Sequence, residues 1–318
     1  MNRTCLRINT NTNTNENSIY GAPSDLNQHN YLRMKNCLFS IALFIFNLPV
    51  FSQNTGFHPD MKFINYLVGK GETKEALRAL DYVPQTSPQL TDSIHFLKGW
   101  LHYQNKELEQ SCNFLLKVSN KSENFMKSRF FSAYNKAYLG EVQSSDSIIN
   151  DLNISDTMML ELKYFELSGN RLLDRDFEGF AKFNKQYQGA VYFLDGKKDN
   201  LERYEIQLKG YKRKSPGLSA IMSAAVPGLG KIYSGKTAEG VASFLYVGTM
   251  AGVSYELYRK DGLKSPFFWL AATATSVFYI GNIWGSYFAA QRTNNLFYYE
   301  IDQRILFDLH IPLRNFFN

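Results

Sequence analysis

The stretch PFFWLAATATSVFYIGNIWGSYFAA, Pro266 to Ala290, runs for 25 residues without a charged side chain. Coiled as a helix it would reach about 37 Å, more than the ~30 Å of hydrocarbon in a bilayer. A second apolar stretch, Ala238 to Tyr258, lies just upstream, and the polar run RKDGLKS (Arg259 to Ser265) separates the two. Together they predict a transmembrane helical hairpin. A shorter apolar segment, Gly217 to Gly230, is broken by Pro227-Gly228 and predicts a short or re-entrant helix ahead of the hairpin.

Whole-chain averages conceal this. The 318 residues are 44% hydrophobic with a formal charge of +6 and an isoelectric point near 9.0, figures that suit an ordinary soluble protein. From Ser219 to Ala290, however, the only acids are Glu239, Glu256 and Asp261, whereas residues 57–210 are densely charged. Two differently solvated parts follow.

Small residues on the two arms permit close helix approach: Gly248, Ala251 and Gly252 on one, Ala271, Ala274, Gly281 and Gly285 on the other. Gly281 to Gly285 forms a G-x-x-x-G, so Gly281, Asn282 and Gly285 are expected at a helix-packing seam. Asn282 is a strongly polar amide inside the apolar run, and Glu256 an acid near the end of the first arm. An amide in lipid needs a partner, so Asn282 is expected to hydrogen-bond across to the 217–230 segment. A subunit of a small channel or transporter stays open as an alternative on these two residues.

The turn GKIYSGKT (Gly230 to Thr237) matches the phosphate-binding loop G-x-x-x-x-G-K-[ST] letter for letter. That mechanism needs a preceding β-strand, whereas SAIMSAA (Ser219 to Ala225) favours helix, so nucleotide binding is kept only as a remote alternative. The longer run SAAVPGLGKIYSGK, Ser223 to Lys236, resembles the bacterial two-transmembrane-helix module, whose first segment ends in a G-x-G-x-x-Y-x-G-K turn, and related envelope proteins carrying P-G-x-G-x-x-Y. The resemblance covers Ser215 to about Asn294, with a second signature at Tyr279 to Gly285 and Ala289-Ala290. It implies a tight membrane turn built on Pro227, Gly228, Gly230 and Gly235, with Tyr233 at headgroup level and Lys236 reaching lipid phosphates. It carries no established chemistry.

Upstream, the chain repeats. Turn positions Gly71, Lys106 and Gly140 stand 35 and 34 residues apart, and small residues follow five positions later at Ala76, Ser111 and Ser145. Apolar residues recur at Leu80, Leu115 and Ile149, then at Val83, Val118 and Leu152, while Tyr66, Trp100 and Tyr134 precede the turns. This pattern, over Met61 to Leu152 with a degenerate unit around Tyr164 to Phe183, resembles the tetratricopeptide repeat, although Lys106 stands where glycine is usual. The resemblance implies an all-α, tetratricopeptide-like solenoid over residues 57–210 whose groove binds an envelope protein or peptide; a bare spacer is the competing reading.

Residues 1–33 are rich in Asn and Thr and read as a disordered extension or a misassigned start; residues 34–53 read as a signal peptide, or else an uncleaved anchor. Processing would leave Cys112 as the lone cysteine, which excludes an intrachain disulfide and a thiolate metal cluster. The basic run Lys212, Arg213, Lys214 abuts the apolar part and suits lipid phosphates, not nucleic acid. Residues 291–318 carry apolar positions at Phe297, Ile301, Ile305 and Leu309 and read as an amphipathic tail, lying along the membrane or docked on the repeats. Two topologies are open, depending on whether residues 217–230 dip or cross. His95 and His102 share a helix face without a carboxylate pair, and no catalytic residue, cofactor site or metal site is expected. The whole reads as an envelope scaffold or assembly factor at the bacterial inner membrane, its 57–210 domain periplasmic and its 215–290 module in the bilayer.

Overall fold

The computed structural model describes residues 59–189 and 191–317; the extension and signal-peptide expectations, on residues 1–33 and 34–53, lie outside them. The described residues hold thirteen α-helices and no strand. The first eight form four pairs: α1 (Met61–Gly69) with α2 (Thr73–Leu80), α3 (Pro88–Gln104) with α4 (Leu108–Leu115), α5 (Phe125–Tyr138) with α6 (Val142–Asn150), and α7 (Thr157–Leu173) with α8 (Phe177–Asn184).

Each pair turns in the same way. Gly71, Lys106, Gly140 and Arg175 all adopt positive φ, between 61 and 82°. At every turn the next residue's N–H reaches the carbonyl five residues back, as from Glu107 to His102 (2.9 Å) and from Glu141 to Lys136 (2.9 Å), which satisfies carbonyls the helix end leaves free. An acid follows each left-handed residue, Glu72, Glu107, Glu141 and Asp176, where the next helix begins and its dipole favours negative charge. Lys106 and Arg175 hold their strained conformations without glycine. Arg175 is fastened by its own guanidinium, which donates to the Leu172 carbonyl at 2.7 Å.

The small residues do what their spacing suggested. Ser111 is buried and donates to the Gly99 carbonyl at 2.8 Å, while Leu115 crosses Gly99 so closely that a Cβ there would lie 2.6 Å from it. Successive pairs are then linked by one recurring bond: Asn135 donates to Ser111 Oγ (3.0 Å) and Asn170 to Ser145 Oγ (2.9 Å). Tyr66 departs from the expected core pattern and is 60% exposed. It stands five residues before its turn, where Leu101, Asn135 and Asn170 are buried in the later pairs. No earlier described helix covers that face.

After a 3₁₀ turn at Tyr192–Leu194 come α9 (Lys197–Gly210), α10 (Pro216–Ala225), α11 (Leu229–Tyr233) and α12 (Thr237–Asp261), then a 3₁₀ turn at Gly262–Lys264 and α13 (Pro266–Phe317). By length and composition α13 is the one described helix able to cross a membrane, and only 6% of its most apolar window is buried. The expectation of two such arms is met in one: α12 is long enough, but Gly, Ser, Thr, Tyr and three acids dilute its apolar content. Nor is there a boundary at residue 290. The tail is the second half of α13, a single helix of 52 residues or about 78 Å.

That second half docks on the helix pairs. Ile301, Ile305, Leu306, Leu309 and Leu313 are buried in the core built by α5, α7 and α9, each contributing about 1.5–3 kcal/mol. Leu309 fills the space left by Gly169, where a Cβ would lie 2.4 Å from it. Tyr134 stacks on His310, whose other edge meets the Tyr103 hydroxyl, and Lys127 donates to the Phe317 carbonyl at 3.0 Å. Asp308, 3% exposed, accepts from Lys197 (2.8 Å), Asn200 (2.8 Å) and Tyr204 (2.9 Å). The side of the pairs formed by α5 and α7 is therefore filled by the chain's own helix.

Breaking a buried, fully bonded ion pair strands its partner charge, so Asp308→Ala should cost about 3–5 kcal/mol. The half-exposed Arg175–Asp302 pair should matter less, with Asp302→Ala costing about 1 kcal/mol or below. Denaturant unfolding of the two variants measures the difference. A second test uses pH. Burial of Glu166, with Oε1 unpartnered, pushes its carboxyl well above the usual range. Its stabilising effect is complete below the unfolded carboxyl range and is lost as pH rises through the folded value, so Glu166→Gln should gain more stability over the parent at pH 8 than at pH 5. Equal gains at both values would contradict this.

Candidate functional site

The helix α10 starts where Ser215 caps it, its Oγ accepting from the Leu218 N–H at 3.3 Å with Pro216 in the first turn, and it stops at Pro227-Gly228. Two glycines then bring backbones together. Gly228 has φ +85°, and a Cβ on it would lie 2.0 Å from the Gly240 carbonyl oxygen on α12. At Gly230 a Cβ would lie 1.8 Å from the Ser219 carbonyl oxygen on α10. Only glycine fits either place. Gly235, φ +84°, closes α11 in open space.

A seam of buried serines fastens this turn to α13. Ser219 Oγ lies 2.8 Å from the Gly230 carbonyl and 2.7 Å from the Ser286 carbonyl; Ser223 Oγ accepts from the Gly230 N–H at 2.9 Å and lies 2.6 Å from Ser286 Oγ. Ser234 adds a bond to Gly230, and Thr293 Oγ1 donates to the Ser234 carbonyl at 3.0 Å. Asn294, the next residue, takes N–H and hydroxyl donors from Lys214 and Tyr211 and returns a bond to the Lys214 carbonyl. These serines and Asn294 are thus satisfied among themselves, as the cost of burying them alone requires.

The turn's charged and aromatic side chains have local partners. Tyr233 accepts from the Ser215 N–H at 3.2 Å and lies beneath the Lys214 ammonium, 5.0 Å from its ring centre. Lys236, the residue expected at lipid phosphates, sits 3.3 Å from Glu239. Lys231 donates instead to Ser243 Oγ at 2.7 Å and has no carboxylate partner among the described residues. Pro227 lines a separate apolar hollow with Phe244 and Tyr279.

The geometry removes the phosphate-loop resemblance. A helix precedes the turn, and its amides are already spent: Gly230 on Ser223, Lys231 and Ile232 on Gly228, Ser234 on Gly230, Gly235 on Ile232, Lys236 on Lys231. None of these N–H groups is left to cradle an anion.

The G-x-x-x-G seam differs from expectation. A Cβ on Gly281 would meet nothing within 4 Å, and one on Gly285 would meet only the Lys231 side chain, 3.5 Å away at its nearest. Gly248 and Gly252 are also open. The arms pack through larger side chains, Ser254 with Thr275 (2.8 Å) and Tyr246 with Phe278, and the close backbone approach is made by Gly228 and Gly230. Asn282 is 5% exposed, yet neither polar atom of its side chain finds a partner, so the expected bond to the 217–230 segment does not form. In the helix pairs, His102 pairs with Glu107 at 2.6 Å and stacks on Phe114, while burial holds His95 below the usual histidine range.

Sequence reasoning missed the serine seam and Asn294. Ser219 and Ser223 lie four apart on one helix face of an otherwise apolar segment, a signal that could have found them. No known protein family, curated protein or solved structure matches the chain.

Steric demand separates the glycines. Gly228→Ala should drive the turn off α12 and lower the thermal midpoint sharply, whereas Gly235→Ala, strained but unobstructed, should cost only about 1 kcal/mol. Comparable melting of the two variants in detergent would contradict the assignment.

Proposed function

We propose that the chain is a membrane-anchored scaffold or assembly factor of the bacterial cell envelope, with a tetratricopeptide-like domain held outside the inner membrane and no catalysis. The observation that carries this reading is the uncharged first half of α13, unburied over its apolar window, continuing as the same helix into the core of the helix pairs. A soluble core helix would be covered; this one presents Phe267, Trp269, Leu270, Val277 and Trp284 outward, as a lipid-facing surface does. On α12, exposed Val241, Phe244, Leu245 and Val253 extend the same belt, which supports reading α12 as the second arm of the hairpin although its composition alone does not mark it as a span.

Topology follows from the docking. Because the end of α13 packs on the helix pairs, domain and tail share one side, and the 259–265 loop lies on the other. That loop carries Arg259, Lys260 and Lys264, which half meets the positive-inside tendency when the domain is periplasmic, since Lys212, Arg213 and Lys214 then lie on the outer face. Residues 217–230 then dip without crossing.

The helix pairs bind an envelope protein or peptide, and the filled side formed by α5 and α7 moves the partner surface to the first pair. There Tyr66 and Tyr82 stand exposed on a stack that could be extended by another helical pair. The alternative of a channel or transporter subunit rests on Asn282, since the exposed Glu256 lies 3.4 Å from Lys260.

Cys112 is buried with its thiol pushed up to about 11, so it is a poor reporter. In a Cys112→Ser background, Lys121→Cys should react with an impermeant maleimide in cells whose inner membrane is intact, and a photo-crosslinking residue at Tyr66 should capture one stoichiometric envelope protein. Labelling only after the inner membrane is breached would overturn the topology. Absence of a crosslinked partner would overturn the scaffold role.

A further inference from the structure

We propose that the cleft between α12 and α13 is a binding site for one anionic glycerophospholipid, held by Lys231 and Asn282. This inference rests on the membrane reading above. The cleft has a volume of about 510 Å³ and is lined by Lys231, Ser243, Tyr246, Phe278, Gly281 and Asn282 among others.

Three observations converge on it. Lys231 reaches over Gly285, whose missing side chain lets the stem pass, and presents an ammonium that meets one serine hydroxyl and no carboxylate among the described residues. In an apolar setting such a cation attracts an anion. Asn282 is buried with both polar atoms unpartnered, the condition of a group awaiting a hydrogen-bonding ligand. Gly281 leaves the wall beside it open, since a Cβ there would meet nothing within 4 Å. The G-x-x-x-G glycines thus shape a cleft where a helix seam was expected.

Their order along α13 selects the ligand. Taking the exposed aromatics Trp284, Tyr287 and Phe288 as the interfacial belt, Gly285 and its overlying Lys231 stand at that level and Asn282 about 4.5 Å deeper, by the rise of the helix. The cation therefore lies nearer the headgroup level and the amide deeper, near the ester level, with exposed Val277 and Phe278 beyond. A phosphate on Lys231, an ester carbonyl accepting from Asn282 Nδ2 and an acyl chain along Val277 and Phe278 match this sequence of surfaces. The walls are open to the lipid-facing belt, which is how such a ligand would enter.

The test uses the full chain purified in a neutral detergent, with thermal unfolding and native mass spectrometry as readouts. Phosphatidylglycerol should raise the midpoint and remain bound one to one; phosphatidylcholine should do so more weakly, and inorganic phosphate not at all. Lys231→Gln should weaken the phosphatidylglycerol effect about tenfold, as expected for loss of a charge-assisted bond. Asn282→Leu should fold with a midpoint no lower than the parent's, because an orphan amide is removed, and should lose most of the lipid response. Equal responses to both lipids, or an undiminished response in Asn282→Leu, would overturn the site. A full response to inorganic phosphate would replace the lipid with a soluble anion. Alkaline carbonate extraction keeps the two readings apart: release of the chain from membranes defeats the membrane reading itself, whereas retention without anionic-lipid preference defeats only the lipid site.

Discussion

One continuous helix carries two halves with opposite demands on their surroundings. The first half of α13 has no charge to offer water, and the second half places Ile301, Ile305, Leu309, Leu313 and an aspartate where only a folded protein interior can receive them. Everything around it follows. The helix pairs give up the side formed by α5 and α7 to bury that apolar stripe, α9 supplies Lys197, Asn200 and Tyr204 to satisfy Asp308, and the left-handed Arg175 pairs with Asp302. A rigid rod joins the two parts where a flexible linker was available. On the proposed membrane reading, one secondary-structure element fixes the position and orientation of the domain relative to the bilayer, as the proposed scaffold role requires.

The serine seam performs the matching task at the other end of the module. Without it, α10 and α11 would be short amphiphilic pieces with free carbonyls and amides in an apolar setting. Ser219, Ser223, Ser234 and Ser286 bond the glycine turn to α13, and Asn294 carries the connection on to the basic run at Lys214. Gly228 and Gly230 let the backbones meet closely enough for those short side chains to reach. The turn's likeness to a phosphate loop is thus a consequence of sharing glycines for close approach, while its amides serve the chain itself.

What was legible in the sequence had a short period or a local cause. The turn positions Gly71, Lys106 and Gly140 declared the helix pairs because a left-handed residue, a following acid and a small residue five places on are local requirements. Arg175 was hidden, since neither its type nor the bulk of Phe180 fits that pattern, and its guanidinium bonds, to the Leu172 carbonyl and to Asp302 of α13, are visible only in the fold. The docked tail was left between two surfaces because an amphipathic stripe shows that a face is buried but not against what. Gly281 and Gly285 misled for a similar reason: small residues permit close approach without compelling it, and here Lys231 and open space occupy their face. Tyr66 recurs in step with Trp100 and Tyr134, yet the sequence could not show that the stack leaves its face open.

The continuity of α13 across residue 290 is the claim on which the anchor, the topology and the filled side of the helix pairs all depend. Spin labels at Phe288→Cys and Phe307→Cys, both exposed positions, in a Cys112→Ser background measure it directly. Nineteen helical residues predict a narrow distribution near 28 Å between the two backbone sites, widened only by the label arms. A broad distribution, or one centred far from that value, would mean that the membrane arm and the docked tail are separate elements, and would contradict the account.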